Sequence, residues 1–150
     1  MATAIPVAAP IVVSGYKYWR INSVSVNSGG YLEISELQFY SDSTKISGTM
    51  TASSNPQFGA VSDINDGDLN TRNYWTEGVA TDPNFWIQME FATAQDINGI
   101  KIGSYDNTSR YLGAFTLQKS LDGISWITVG SASGLTFSVS NSLSSMISFD

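Results

Sequence analysis

Residues 85–91 read FWIQMEF. Phe85, Ile87, Met89 and Phe91 alternate with Trp86, Gln88 and Glu90, a period of two that puts every second side chain on one face of a β-strand. The neighbouring segments repeat the pattern. AFTLQKSLDGISWITVG (114–130) reads as a hairpin, with Asp122-Gly123 as a two-residue type I′ turn. INGIKIGS (97–104) and YKYWRINSVSV (16–26) are further β-rich runs. LTFSV (135–139) alternates Leu135, Phe137 and Val139, and SSMISFD (144–150) reads as a last strand. In YLEISELQFY (31–40) the apolar phase runs through Leu32 and Ile34, then resumes at Leu37 and Phe39. The slip at Ser35-Glu36 predicts a bulge or bend. Between these runs lie turn-rich loops at 41–58, 63–74, 77–84 and 105–113. The only helical feature expected is a short turn within 59–65. About eight strands in a single unit predict an all-β sandwich or jelly roll.

Composition agrees. In 150 residues, 42% are apolar and only 13% charged, about half the usual charged share. The chain has no histidine and no cysteine, which removes Ser-His-Asp and Cys-His catalysis, thiol chemistry and the commonest zinc ligands. The net charge is −6 and no Lys/Arg-rich run exists, which argues against binding nucleic acid or an anionic membrane surface. MATAIPVAAPIVVSG (1–15) has no Lys or Arg, so it lacks the positive region of a secretory signal. Pro6 and Pro10 break any helix, and the stretch is too short to span a bilayer. It reads as an extended arm, a linker remnant or a segment packing on a neighbouring subunit, ahead of a domain at 16–150.

One stretch concentrates the acids: DINDGDLNTRNYW, residues 63–75. Asp66, Asp68, Asn70, Thr71 and Asn73 offer oxygens, and Gly67 permits a tight bend, as a calcium loop requires. The EF-hand spacing is absent. The competing reading is an Asx-rich turn whose side chains bond their own backbone.

Four motifs in order resemble discoidin domains, also called coagulation factor V/VIII C-type domains: YKYWRINSVSVNSGGYLEISELQFY (16–40), VSDINDGDLNTRNYWTEG (61–78), PNFWIQMEF (83–91) and FTLQKSLDGISWITV (115–129). The resemblance implies an eight-stranded antiparallel β-sandwich of the galactose-binding type. The YWRI…EL element usually closes such a domain; here it comes first, an arrangement associated with modules of phage and bacterial proteins. The resemblance further implies a structural calcium held by Asp66, Asp68 (through its carbonyl), Thr71 or Asn73, Glu36 and Ser35 (through its carbonyl). It puts Trp19, Trp75, Trp86 and Trp126 in the core. It gathers the ligand loops at one end, where Arg72, Asn73, Tyr105, Asn107, Arg110 and Tyr111, with Asn55 and Phe58 nearby, are the residues for stacking on a sugar and bonding its hydroxyls. The loop histidine of many sugar-binding relatives is missing.

The expectation is a non-catalytic module that binds carbohydrate or a cell-surface glycan, as part of a phage virion or tail adhesin. The alternative is a structural virion protein that acts through protein–protein contacts. Either role implies a homo-oligomer or a larger assembly, located on a virion or extracellular surface. Neither involves nucleic acid or membrane insertion.

Overall fold

The structure, a computed structural model, describes residues 14–27, 30–106 and 109–150. The arm expected at 1–15 lies outside them apart from Ser14 and Gly15, and so does Asn107.

The strands, in order, are β1 (Tyr16–Val26), β2 (Leu32–Ile34), β3 (Glu36–Ser41), β4 (Thr44–Ile46), β5 (Thr49–Ala52), β6 (Asn73–Trp75), β7 (Trp86–Gln95), β8 (Gly99–Ser104), β9 (Leu112–Ser120), β10 (Ile127–Ala132), β11 (Ser142–Leu143) and β12 (Ile147–Ser148). A 3₁₀ turn spans Val61–Asn65 and a single helical turn, α1, spans Glu77–Ala80. One sheet has the order β10-β9-β1-β7-β5. A second runs β11-β8-β3-β4, with β12 also on β8, and β2 pairs with β6. Every strand pair is antiparallel.

The two large sheets close on one core, and alternation decides which side chains reach it. Ile87, Met89 and Phe91 of β7 are buried while Trp86, Gln88 and Glu90 are half-buried on the other face. Phe39 of β3 meets Phe91 edge-to-face across the sandwich, with centroids 6.0 Å apart. Burying rings of this size dominates the stability of such a core. Trp19 and Trp75 join it, Trp75 against Phe85.

The break foreseen at Ser35-Glu36 divides β2 from β3. It packs tightly on Gly103, where an added Cβ would lie 2.6 Å from both Ser35 Oγ and Glu36 Cβ. The 3₁₀ turn falls where a turn was expected.

Other expectations need correcting. The loop expected at 41–58 contains β4 and β5, three and four residues long, too short for a period to show. Residues 135–139 form no strand; Phe137 is buried but Val139 is exposed. Trp86 and Trp126 are not core residues. Trp86 lies on the outer face of β7, and the Arg20 guanidinium stacks on Trp126 at 3.9 Å. The β9–β10 hairpin exists, but its loop is 121–126, not two residues. Asp122 organises it by accepting the N–H groups of Ile124 (2.9 Å) and Ser125 (2.8 Å) and the Ser120 hydroxyl (2.9 Å).

The donors from Ser125, Ile124 and Ser120 hold the Asp122 carboxyl down at about 2. Its unfolded value is about 3.9. A depressed carboxylate contributes stability that is full above the unfolded value and lost as pH falls toward the folded one. The difference in Tm between the wild type and Asp122→Ala is therefore expected to be constant from pH 7 to about 5 and to shrink between about pH 4 and 2, as read by circular dichroism melts.

Candidate functional site

Two glutamates in the short stretch 33–36 organise the loops. Glu33 on β2 stands opposite Tyr74 on β6. Its N–H donates to Arg110 O at 2.7 Å, which brings Arg110 alongside. Its side chain is 2% exposed. A single oxygen, Oε1, accepts from Arg72 Nε (3.0 Å), from Arg72 Nη2 and from Arg110 Nη1 (3.0 Å). The hydrogen bond and charge of Glu33 hold the Arg110 guanidinium above its usual range. A buried carboxylate needs such partners, because an unpaired one costs several kcal/mol.

Aromatic rings brace both arginines. The Arg72 guanidinium lies 5.0 Å from the Tyr74 ring centroid, 5.5 Å from Phe58 and 5.8 Å from Tyr105. Arg110 lies 5.5 Å from Tyr31, which stacks on Tyr74. Such cation–π contacts contribute roughly 0.5–1 kcal/mol each where solvent is near. Beside this cluster opens a cleft of ≈ 600 Å³ lined by Glu33, Arg72, Tyr105, Asp106, Ser109, Arg110, Ser140 and Asn141. That volume suits a small-molecule ligand.

Glu36, fully buried, anchors the acid loop. Its Oε1 accepts Gly67 N–H at 2.7 Å and its Oε2 accepts Gln38 Nε2 at 2.8 Å. Gly67 has φ +89°, which a side chain would strain. Burial pushes the Glu36 carboxyl up. The adjacent Asp66 carboxyl pushes the same way, against the pull of Gln38, Gly67 and Lys45. Asp66 accepts Asp68 N–H (2.7 Å) and the Thr71 hydroxyl (3.3 Å), and Asp68 accepts from Asn70. The loop is thus an Asx-rich turn that also sets two carboxylates side by side. Among the described residues no three acid, His or Cys side chains converge. Asp66 lies beside Glu36 and holds the Thr71 hydroxyl, and carboxylates with a hydroxyl are oxygens of the kind a hard cation takes.

Of the expected ligand residues, Arg72, Tyr105 and Arg110 come together in the cleft. Tyr111 does not. It is 6% exposed and packs edge-to-face on Phe137 at 5.2 Å, so it offers no ring to a ligand. Asn73 neither lines the cleft nor joins the Glu36–Asp66 cluster. It is fully buried, and its Oδ1 accepts Ala60 N–H at 3.1 Å. Ser35 meets Gly103 O through its N–H (3.0 Å). Asn55 does not line the cleft, and Phe58 touches it only through Arg72. Sequence reasoning missed Glu33, Ser109, Ser140 and Asn141. Glu33 is 39 residues from Arg72 and 77 from Arg110, so no local pattern signals that it pairs with them. Ser140 and Asn141 lie in a serine-rich tract with no distinguishing feature, although Asn141 donates to Asn70 Oδ1 at 2.7 Å and ties that tract to the acid loop.

Two large antiparallel sheets packed on one core, with a loop-built cleft, make the chain a β-sandwich. The family model described as F5/8 type C domain matches residues 49–150, and the chain belongs to that family. Members of the family are generally binding modules. The match begins at β5, after β1–β3, the part that carries the YWRI…EL element. No curated protein and no solved structure matches the chain.

Arg72→Ala is expected to cost roughly 2–3 kcal/mol, less than a fully buried broken pair because Arg110 still neutralises Glu33. Arg110→Ala should cost about 1 kcal/mol, since Arg72 keeps both its bonds. Urea unfolding of the two variants checks the order.

Proposed function

We propose that the protein is a non-catalytic module that binds an uncharged carbohydrate in the cleft at Glu33, Arg72, Tyr105 and Arg110. One observation carries this reading: a buried glutamate fixes two guanidiniums at the wall of a cleft that also holds a tyrosine ring. A guanidinium has five N–H donors. Arg110 directs one nitrogen to Glu33 and Arg72 directs two, so donors remain for vicinal hydroxyls. Tyr105 supplies apolar surface, and Asp106, Ser109 and Asn141 add polar groups. The lining has two arginines, Arg72 and Arg110, and two acids, Glu33 and Asp106, so its formal charge is zero. That balance favours a neutral sugar over a uronate or sialic acid. A structural calcium would sit beside Glu36 and Asp66, with Thr71 and the Asp68 carbonyl as further oxygens, and would stiffen the loop that delivers Arg72.

Glycan-array screening followed by titration calorimetry tests this. Neutral glycans are expected to bind, Tyr105→Ala and Arg110→Ala to weaken binding at least about tenfold, and Tyr105→Ala to lower Tm by no more than about 4 °C. Failure of every neutral glycan to bind would refute the reading.

A second reading, a building block of a particle, is favoured by a different observation. The β9–β10 tip exposes Leu121, Ile124 (82%) and Ile127 beside a small apolar cleft with Trp126. Under that reading light scattering gives a mass above the 16.2 kDa of one chain, and Ile124→Asp returns it to the monomer.

A further inference from the structure

We propose that Lys45 is the standing counter-ion of Glu36, and that a calcium ion drawn to Glu36 and Asp66 binds only by displacing its ammonium. This rests on the calcium reading above.

The register of the β3–β4 hairpin puts Lys45 there. Lys45 pairs with Tyr40, so period two sets it on the same face as Tyr40, Gln38 and Glu36. Those three form a polar row, in which Tyr40 OH donates to Gln38 Oε1 (2.7 Å) and Gln38 to Glu36. From the facing strand the Lys45 ammonium reaches diagonally to 3.5 Å from Glu36 Oε2 and 3.4 Å from Asn65 O. A carboxylate oxygen and a main-chain carbonyl beside an acid loop are the donor types a calcium ion takes. Lys101, the other lysine near this face, points to the Tyr40 ring at 5.5 Å.

The electrostatics make the two cations exclusive. Glu36 is fully buried, and Lys45 is the cation paired with it. Glu36, Asp66 and Lys45 together carry −1, which still attracts a cation. A divalent ion at the same oxygens would face the ammonium at close range and low dielectric, where like charges repel strongly. Lys45 must then swing out to solvent, which its 29% exposed side chain allows. The loop therefore keeps its shape without calcium and binds the ion weakly.

Calcium titration calorimetry, with melts in calcium and in chelator, tests this on the whole chain. The variants are Lys45→Met, which keeps the stem and drops the charge, and Lys45→Arg, which keeps the charge. Lys45→Met is expected to melt below the wild type in chelator, to bind calcium roughly tenfold tighter or more, and to regain stability in calcium. Lys45→Arg should behave like the wild type. Equal calcium affinity in wild type and Lys45→Met would overturn the proposal and leave the calcium reading standing. No binding by any of the three would overturn both.

Discussion

The shared oxygen of Glu33 is the constraint on which the cleft end of the molecule depends. Three separate segments meet at it: β2 contributes the carboxylate, the acid loop sends Arg72, and the 105–111 loop sends Arg110. Without those guanidiniums the carboxylate would be buried and uncompensated, so the three segments are held at one register by a charge that cannot reach water. Tyr31, Tyr74, Phe58 and Tyr105 then flank the arginines. The cleft follows from this arrangement rather than from any single loop.

Glu36 repeats the device three residues later for the other end of the same loop. Gly67 is held on Glu36 and Arg72 on Glu33, so the segment between them is pinned at both ends to one continuous stretch of chain. Asn70 bonds Asn141 across to the C-terminal tract, which also lines the cleft. A change in the acid loop, whether by an ion or by Lys45, therefore has a short physical route to the wall of the cleft. That route consists of hydrogen bonds between named groups, with Gly67 at one end and Arg72 at the other.

The placement of β1 bears on the unusual order of motifs. β1 lies at the centre of its sheet, between β7 and β9, yet the family match starts only at Thr49. A central strand is not dispensable, because both its edges carry hydrogen bonds and Trp19 and Ile21 lie in the core. The segment that resembles the closing element of such a domain stands here at the front of the chain and supplies a central strand. Antiparallel sheets tolerate such rewiring, since strand position depends on pairing and burial more than on chain order.

Period two and turn chemistry, both local, were enough to reveal the strands at 85–91 and 115–120, the break at Ser35 and the all-β class. The oxygen-rich loop was legible from composition, and the resemblance in the motifs pointed to Arg72, Tyr105 and Arg110, which the fold brings to one cleft. Short strands such as β4 and β5 were not legible, because three or four residues hold too little of a period. Trp126 and Tyr111 show a further limit: one aromatic ring lies beneath an arginine at the surface and the other in the core, and composition is blind to that difference. Glu33 depended most on tertiary structure. A lone glutamate between Leu32 and Ile34 resembles an outward-facing strand residue. Only the folded chain brings two arginines, 39 and 77 residues away, to the one oxygen that makes its burial possible.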